Sequence, residues 1–241
     1  MTKLLSIFKR RHTGINCSVV VVAAGTASRM QGIDKILAPL GEVPVLIRTL
    51  QVFQRCPDVA EILVVTREDL LVEISRLCKE YSLDKVRKIV VGGAERVLSV
   101  RTGLREADRD AQLIAIHDGA RPFLTQQVLR EVLQQAARSG AAAPAVPVND
   151  TVKRAEDSIV VETVDRSCLW AVQTPQVFQA DLIRAAVEQA VTDQAAITDD
   201  CSAVERLGMK VVLTAGDRQN IKITTPFDLI LGEAILAERG E

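Results

Sequence analysis

The residues best suited to chemistry follow a hydrophobic run near the start of the chain. Four β-branched residues, Val19 to Val22, are typical of a strand that is buried on both faces. Three small residues come directly after it, namely Ala23, Ala24 and Gly25. Two cations, Arg29 and Lys35, follow within ten residues of that glycine. A small-residue loop with nearby cations indicates a phosphate site, because loop N–H groups and positive side chains converge on an anion.

Comparable residues follow the later predicted strands. In open α/β sheets, ligands bind outside the carboxyl ends of the strands, so residues at these ends are candidate ligand contacts. These candidates are Gly92, Gly93, Arg96 and Ser99, then Asp118, Gly119, Ala120 and Arg121, then Asp150, Thr151 and Lys153, and finally Asn220 and Lys222. We therefore predict that small residues and cations gather at one rim of a sheet.

The elements that would position these residues alternate between strand and helix from residue 19 to about residue 140. The predicted strands are 19–22, 61–65, 86–91 and 113–117, and the predicted helices are 45–53, 69–81 and 97–107. Helix-length connections call for parallel strands and right-handed crossovers. We predict an α/β fold with a Rossmann-like, mostly parallel twisted sheet covered by helices on both faces.

The pattern changes after Gly140. Two prolines keep 141–147 extended, and 151–154 with 159–164 flank a turn-like gap at 155–158, which predicts a projecting β-hairpin arm. Further on, 172–178 is core-like, helices are predicted at 181–191, 200–207 and 227–238, and a strand at 211–213. We treat residues 1–15 as a basic N-terminal extension and 16–240 as a single domain, with the arm at about 145–170.

Composition narrows the class of protein. The 241 residues carry a formal net charge of -1 and only 3% aromatic residues, which argues against nucleic acid as a partner. No apolar run is long enough to span a membrane. Five scattered cysteines form no Cys-x-x-Cys pair, so we expect a reducing cytoplasm and no disulfide framework.

Familiar catalytic motifs are missing from the sequence. It contains no P-loop, no Gly-x-Gly-x-x-Gly fingerprint and no Gly-x-Ser-x-Gly elbow. Its two histidines, His12 and His117, are too few for a histidine-rich metal site. What remains is phosphate chemistry without a covalent nucleophile, with Mg²⁺ held mainly by phosphate oxygens and no dedicated metal ligands.

These motifs together resemble one enzyme family. They are Ala23–Met30, Lys35, Gly92–Arg96 with Ser99, His117–Pro122, Asp150–Thr151, Val164–Arg166, Thr174–Gln176, Ile197–Asp199 and Asn220–Lys222. In order and spacing they resemble the 2-C-methyl-D-erythritol 4-phosphate cytidylyltransferases over about residues 17–237. Ala27 is a departure, since that family usually has glycine or serine there.

The resemblance implies a role for each matched residue. The proposed catalytic cations are Arg29, Lys35 and Lys222, which would hold the triphosphate. The nucleotide-binding residues would be Ala23, Ala24, Gly25, Gly92, Gly93, Ser99, Asp118 and Gly119. The residues binding the acceptor sugar phosphate would be Asp118, Arg121, Thr151, Arg166, Thr198 and Asp199. Thr151 and Arg166 would reach in from the arm of a second subunit, which implies a homodimer.

The resemblance also implies the reaction. A phosphate oxygen of methylerythritol phosphate would attack the α-phosphorus of CTP, with Mg²⁺ or another divalent cation bound to the phosphates, and pyrophosphate would leave. Two alternatives stay open: the same chemistry on another polyol phosphate such as ribitol 5-phosphate, and a non-catalytic nucleotide-binding regulatory protein.

Simpler structural interpretations exist for several of these residues. Asp199 and Asp200 fit equally well as helix caps. Lys222 falls in a predicted strand, 221–223, whose exposed face would be solvated. We expect His117 to be structural, and the cysteines to be core or surface thiols with no role.

Overall fold

A computed structural model describes residues 14–25 and 34–240. The predicted catalytic residue Arg29, the departure at Ala27 and most of the N-terminal extension lie outside these residues. Within them, the strands are β1 Cys17–Val22, β2 Pro39–Leu40, β3 Val43–Pro44, β4 Val59–Thr66, β5 Val86–Val91, β6 Leu113–Asp118, β7 Ala141–Pro147, β8 Lys153–Glu156, β9 Ile159–Thr163, β10 Trp170–Val172, β11 Gln176–Gln179 and β12 Val212–Ala215. The helices are α1 Val45–Gln54, α2 Leu71–Glu80, α3 Arg96–Glu106, α4 Gln126–Ser139, α5 Ala180–Thr192, α6 Asp200–Arg206 and α7 Pro226–Arg239.

The centre of the fold is an eight-stranded mixed sheet, which confirms the predicted α/β class. Strands β6, β1, β4 and β5 lie side by side and are all parallel. Strand β11 is antiparallel to both β6 and β7, while β12 is parallel to β7 and β10 is antiparallel to it. The sequence did not indicate this antiparallel insertion, because the core-like stretch 172–178 carries no sign of its direction.

Strand β1 explains why helices cover both faces of the sheet. Successive side chains of a strand point to opposite faces. Val19 and Val21 belong to the hydrophobic core formed with α1, α2 and α4, whereas Val20 belongs to a second core formed with α3, α5 and α6. All three valines are fully buried. The continuous β-branched run therefore reflects burial on both sides, as predicted.

The predicted hairpin exists, with shifted boundaries. Strands β8 and β9 form their own two-stranded antiparallel sheet, and every residue in them is exposed. The turn is tighter than predicted, since Asp157 and Ser158 alone connect the strands, both with positive φ. Three apolar residues, Ile159, Val160 and Val161, are exposed on this hairpin arm.

Two local predictions need correction. Residues 221–223 are not a strand, because the chain there is irregular. Val172, placed at the start of a core-like segment, is exposed, and the buried stretch begins one residue later. No helix in the described ranges combines the length and hydropathy that crossing a bilayer requires.

Candidate active site

A cleft of about 150 Å³ lies at the carboxyl ends of β1, β5 and β6. Eight predicted site residues line it: Ala23, Ala24, Gly25, Lys35, Gly93, Ser99, Asp118 and Lys222. Arg96 and Glu95 line it as well. Larger grooves exist, including one of about 620 Å³ between α2 and β5, but the chemically suited residues converge on the smaller cleft.

Strand register brings the first two parts of the site together. Val22 pairs with Asp118 across β1 and β6, so the loop after β1 begins beside the Asp118 carboxylate. Ala23 N–H donates to the Val65 carbonyl oxygen at 2.7 Å, which fixes the start of that loop against β4. Gly25 is exposed, and none of the described residues would lie within 4 Å of a Cβ atom placed on it. On the side of the described residues, the main chain at Gly25 is therefore open to a ligand.

Close packing explains the glycine pair after β5. A Cβ on Gly92 would lie 2.6 Å from Ser99 Oγ and 2.7 Å from Ala24 Cβ, distances that real Cβ atoms do not adopt. A Cβ on Gly93 would lie 2.4 Å from Leu98 Cβ. Gly93 N–H donates to Ser99 Oγ at 3.1 Å. Gly92 therefore lets the β5–α3 loop pack against Ala24, and Ala24, Gly93 and Ser99 all line the cleft.

The Asp118 carboxylate is the centre of the charged network. Lys222 Nζ lies 2.9 Å from Asp118 Oδ2, Arg121 Nε lies 3.3 Å from the same oxygen, and Arg96 Nε lies 3.8 Å from Oδ1. Burial alone would raise the pKa of this carboxyl, but these three cations outweigh it and hold the pKa below its usual range. Asp118 is therefore ionised at neutral pH.

Lys222 reaches the cleft although its segment has no regular structure. Ile223 N–H donates to the Ala120 carbonyl oxygen at 2.8 Å, and Arg121 Nη1 donates to the Asn220 carbonyl oxygen at 2.7 Å. These two bonds attach the segment to the loop after β6. Lys35 and Lys222, 187 positions apart in the sequence, thus line the same cleft.

His117 holds the loop after β6 through hydrogen bonds and does not line the cleft. Its Nε2–H donates to the Arg121 carbonyl oxygen at 3.2 Å, which leaves Nδ1 to accept from the Thr174 hydroxyl at 2.9 Å. Thr174 Oγ1 in turn accepts from Asp118 N–H. Complete burial lowers the pKa of His117 to about 4, so the imidazole is neutral at pH 7. The predicted structural role of His117 is confirmed.

Two carboxylates near the start of α6 have separate roles. Asp199 is the N-cap of α6 and accepts from Ser202 N–H at 2.9 Å, and its Oδ2 accepts from Gln176 Nε2 at 2.8 Å. Asp200, the first residue of α6, is 1% exposed and forms a two-pronged ion pair with Arg96 at 2.9 and 2.7 Å. Asp199 therefore caps the helix, as its simpler interpretation predicted, whereas Asp200 forms an ion pair with a residue 104 positions away in the sequence.

Several predicted residues do not line the cleft in this chain. Gly119 and Arg121 lie immediately behind it, in the loop that carries Asp118. Thr198 is exposed at the start of α6. Thr151 and Arg166 are exposed at the base of the hairpin arm, where Arg166 Nη1 donates to the Asn149 carbonyl oxygen at 2.5 Å.

Comparison with known proteins identifies the family. The sequence model of 2-C-methyl-D-erythritol 4-phosphate cytidylyltransferase, IspD, matches residues 17–238. The chain belongs to the IspD family. A relative of that name from Halalkalibacterium halodurans is 44% identical over 92% of this chain and 97% of its own length. Another, from Symbiobacterium thermophilum, is 46% identical over 92% of this chain and 93% of its own length.

Solved structures give the same assignment. The 4-diphosphocytidyl-2C-methyl-D-erythritol synthase from Anaerococcus prevotii superposes with a TM-score of 0.83, at 30% identity, over 93% of this chain and 97% of that one. The cytidylyltransferase from Thermus thermophilus gives a TM-score of 0.75, at 33% identity, over 90% of this chain and 98% of that one. The mixed sheet with its antiparallel insertion is thus an IspD fold.

Sequence reasoning missed the partner of Arg96. Arg96 was noted at a strand end, but Asp200 was considered only as a cap. The two residues are 104 positions apart, and no local pattern in an IspD sequence pairs them. The sequence did offer one indication: a helix needs only one N-cap residue, so the second of the adjacent acidic residues 199 and 200 was free for another role.

Proposed function

We propose that this protein transfers the cytidylyl group of CTP to 2-C-methyl-D-erythritol 4-phosphate, which yields 4-diphosphocytidyl-2-C-methyl-D-erythritol and pyrophosphate in the non-mevalonate isoprenoid pathway. The observation that carries the proposal is the convergence of Lys35 and Lys222 on one cleft beside the buried Asp118 carboxylate. Membership of the IspD family supports the substrates. A pocket of this charge suits a triphosphate and an anionic acceptor.

The proposed reaction needs no general base. A phosphate oxygen of the acceptor is already an anion, and it attacks the α-phosphorus as the bond to the β-phosphate oxygen breaks. Lys35 and Lys222 stabilise the charge that grows on the phosphate oxygens, together with Arg29, which lies outside the described residues. Neutral, buried His117 takes no proton in this scheme.

Nucleotide binding would use the loops after β1 and β5. The open main chain at Gly25 supports a contact to the ribose and phosphates. Gly93 and Ser99, which face the cleft, offer main-chain groups and a hydroxyl to the base. We place the cytosine edge there, because the tight packing of Gly92 on Ala24 gives this side of the cleft a fixed wall.

A divalent cation, Mg²⁺ by preference, would fit this site through the phosphates. The described residues hold no group of three carboxylate, histidine or cysteine side chains that could bind a metal, and Mg²⁺ commonly takes most of its ligands from phosphate oxygens and water. Two carboxylates line the cleft, Asp118 and Glu95, and the ionised Asp118 would add one oxygen ligand in exchange for a contact with its cations. The ion would neutralise charge on the triphosphate and orient its oxygens.

A homodimer would complete the acceptor site. Thr151 and Arg166 stay exposed at the base of the arm, and the arm and its neighbouring strands expose the apolar residues Ile159 and Trp170. Burial of these residues against a second copy would bring the polar pair to the partner's cleft. Because Trp170 is the only tryptophan, its fluorescence should shift to the blue as protein concentration rises through the dimer range.

A cytoplasmic location is consistent with the thiols. All five cysteines are free, and four of them are buried: Cys17, Cys56, Cys78 and Cys201. Burial raises the pKa of each of these four thiols, which keeps them protonated. We propose that the protein works in a reducing compartment.

Pyrophosphate release tests the proposal. The protein is incubated with CTP and Mg²⁺, and with 2-C-methyl-D-erythritol 4-phosphate, ribitol 5-phosphate or no acceptor. We expect release with the first acceptor only. Release with ribitol 5-phosphate alone would reassign the acceptor, and release with neither would favour a non-catalytic nucleotide-binding protein.

A variant pair shows whether the cleft carries the activity. Lys222→Ala should lower kcat by about 100-fold, which corresponds to roughly 3 kcal/mol of lost transition-state stabilisation. Lys210→Ala is the matched control, because Lys210 is exposed and does not line the cleft. Equal loss in both variants would contradict the assignment of the cleft.

A further inference from the structure

The ion pair between Arg96 and Asp200 joins two segments that are distant in the sequence. Arg96 begins α3, three residues after Gly93, and Asp200 begins α6, directly after Thr198 and Asp199. Arg96 Nη1 donates to Asp200 Oδ1 at 2.9 Å, and Nη2 donates to Oδ2 at 2.7 Å. A bidentate ion pair of this kind fixes the orientation of the guanidinium as well as its distance from the carboxylate.

Both ends of this ion pair are held by further contacts. Asp200 N–H and Cys201 N–H each donate to Gln176 Oε1 at 2.9 Å, so the first turn of α6 is also attached to β11. On the other side, Arg96 Nε points toward Asp118 Oδ1 at 3.8 Å. The guanidinium therefore lies between two carboxylates, one buried beneath it and one in the cleft.

The position of Arg96 is unusual for a purely structural ion pair. Asp200 is 1% exposed, but the side chain of Arg96 is 32% exposed and lines the cleft. Its guanidinium lies near Asp118 Oδ1, at 3.8 Å from Nε, whereas Lys222 and Arg121 bind Oδ2. If Asp200 lost its charge, Arg96 would be drawn toward Asp118 and would compete with Lys222 for it.

We propose that Arg96, held by Asp200, is a positioning residue that sets the spacing between the nucleotide-binding loop before α3, the Asp118–Lys222 pair and the turn before α6. This inference rests on the proposed function. The pair keeps the two substrates at reacting distance and leaves the affinity for each one nearly unchanged. Misplacement of reacting groups by about 1 Å can cost on the order of 100-fold in rate, so the loss should appear in kcat.

The test compares Arg96→Lys and Asp200→Asn with Arg105→Lys. Arg105 lies on the same helix and pairs with the exposed Glu188, so it is a matched control. Dissociation constants for CTP and for 2-C-methyl-D-erythritol 4-phosphate are measured by calorimetry with Mg²⁺, and the transfer rate in single turnovers with both substrates saturating. Thermal unfolding shows that each variant is folded.

We expect Arg96→Lys and Asp200→Asn each to lose about 100-fold in transfer rate, while each dissociation constant changes by less than about threefold. The double variant should lose no more than the worse single one. Asp200→Asn decides the matter alone if Arg96→Lys does not fold, because it removes a charge and no volume. A normal rate in folded Asp200→Asn, or weaker CTP binding with a normal rate in Arg96→Lys, would overturn the inference. Failure of the proposed function is seen separately, as a wild-type protein that transfers nothing.

Discussion

Acid should destabilise this protein through one buried imidazole. Burial holds the pKa of His117 at about 4, against 6.5 in an unfolded chain. Between these values the unfolded state binds a proton that the folded state does not, so stability falls as the pH falls. Linkage then predicts that the free energy of unfolding contributed by His117 drops, relative to pH 7, by about 2 kcal/mol at pH 5 and about 3 kcal/mol at pH 4.

The assay is urea unfolding of the wild type and of His117→Gln at pH 7, 6, 5 and 4. Glutamine can keep the hydrogen bonds to the Arg121 carbonyl and the Thr174 hydroxyl, but it does not titrate. Subtracting the two curves removes contributions common to both proteins, including that of His12. Asp118 has a lower pKa in the folded than in the unfolded chain, so its charge stabilises the fold at any pH above the unfolded pKa. That contribution is lost as the pH falls below this pKa, which is more acidic than the range in which His117 titrates. A difference between the two proteins that does not change with pH would refute the buried, neutral imidazole.

Three other predictions concern packing, thiols and the cleft. Gly103→Ala should lower Tm by several degrees, because the new Cβ would lie 2.3 Å from Val20 Cγ1. Overpacking of about 2 kcal/mol then outweighs the gain in helix propensity of about 1 kcal/mol. An unchanged Tm would contradict the packing of α3 on β1. A thiol reagent should modify one cysteine per native chain rapidly, namely the exposed Cys168, and rapid reaction of a second would contradict the burial of the others. Asp118→Asn should lower kcat, because Lys222 and Arg121 lose the carboxylate that holds them, and a normal kcat would contradict a role for Asp118 in the site.

Much of the fold could be predicted because burial leaves a mark on local sequence. The run Val19–Val22 and the alternating helices identified the parallel half of the sheet, and the arm was found from its turn and its charged strands. The antiparallel strand β11 was missed because a four-residue buried segment has the same composition in either direction. Only the bonds that β11 makes with β6 and β7 settle its direction.

The site was predictable where a residue type at a strand end carries the signal. Gly93, Ser99, Asp118 and Lys222 were found in this way and do line one cleft. Residues that act through a distant partner were not predictable. Asp200 has the same local sequence whether it caps α6 or pairs with Arg96, and the segment of Lys222 resembles a strand until its bonds to the β6 loop are seen.

The measurement that tests the account most directly is the rate of pyrophosphate release from CTP and 2-C-methyl-D-erythritol 4-phosphate by the wild type and by Lys222→Ala, with CTP affinity measured on the same samples. The account predicts turnover by the wild type, a rate lower by about 100-fold in the variant, and CTP affinity within about threefold of normal. Normal turnover by Lys222→Ala, or a loss that comes entirely from CTP affinity, would contradict the claim that cations from distant parts of the chain stabilise one transition state.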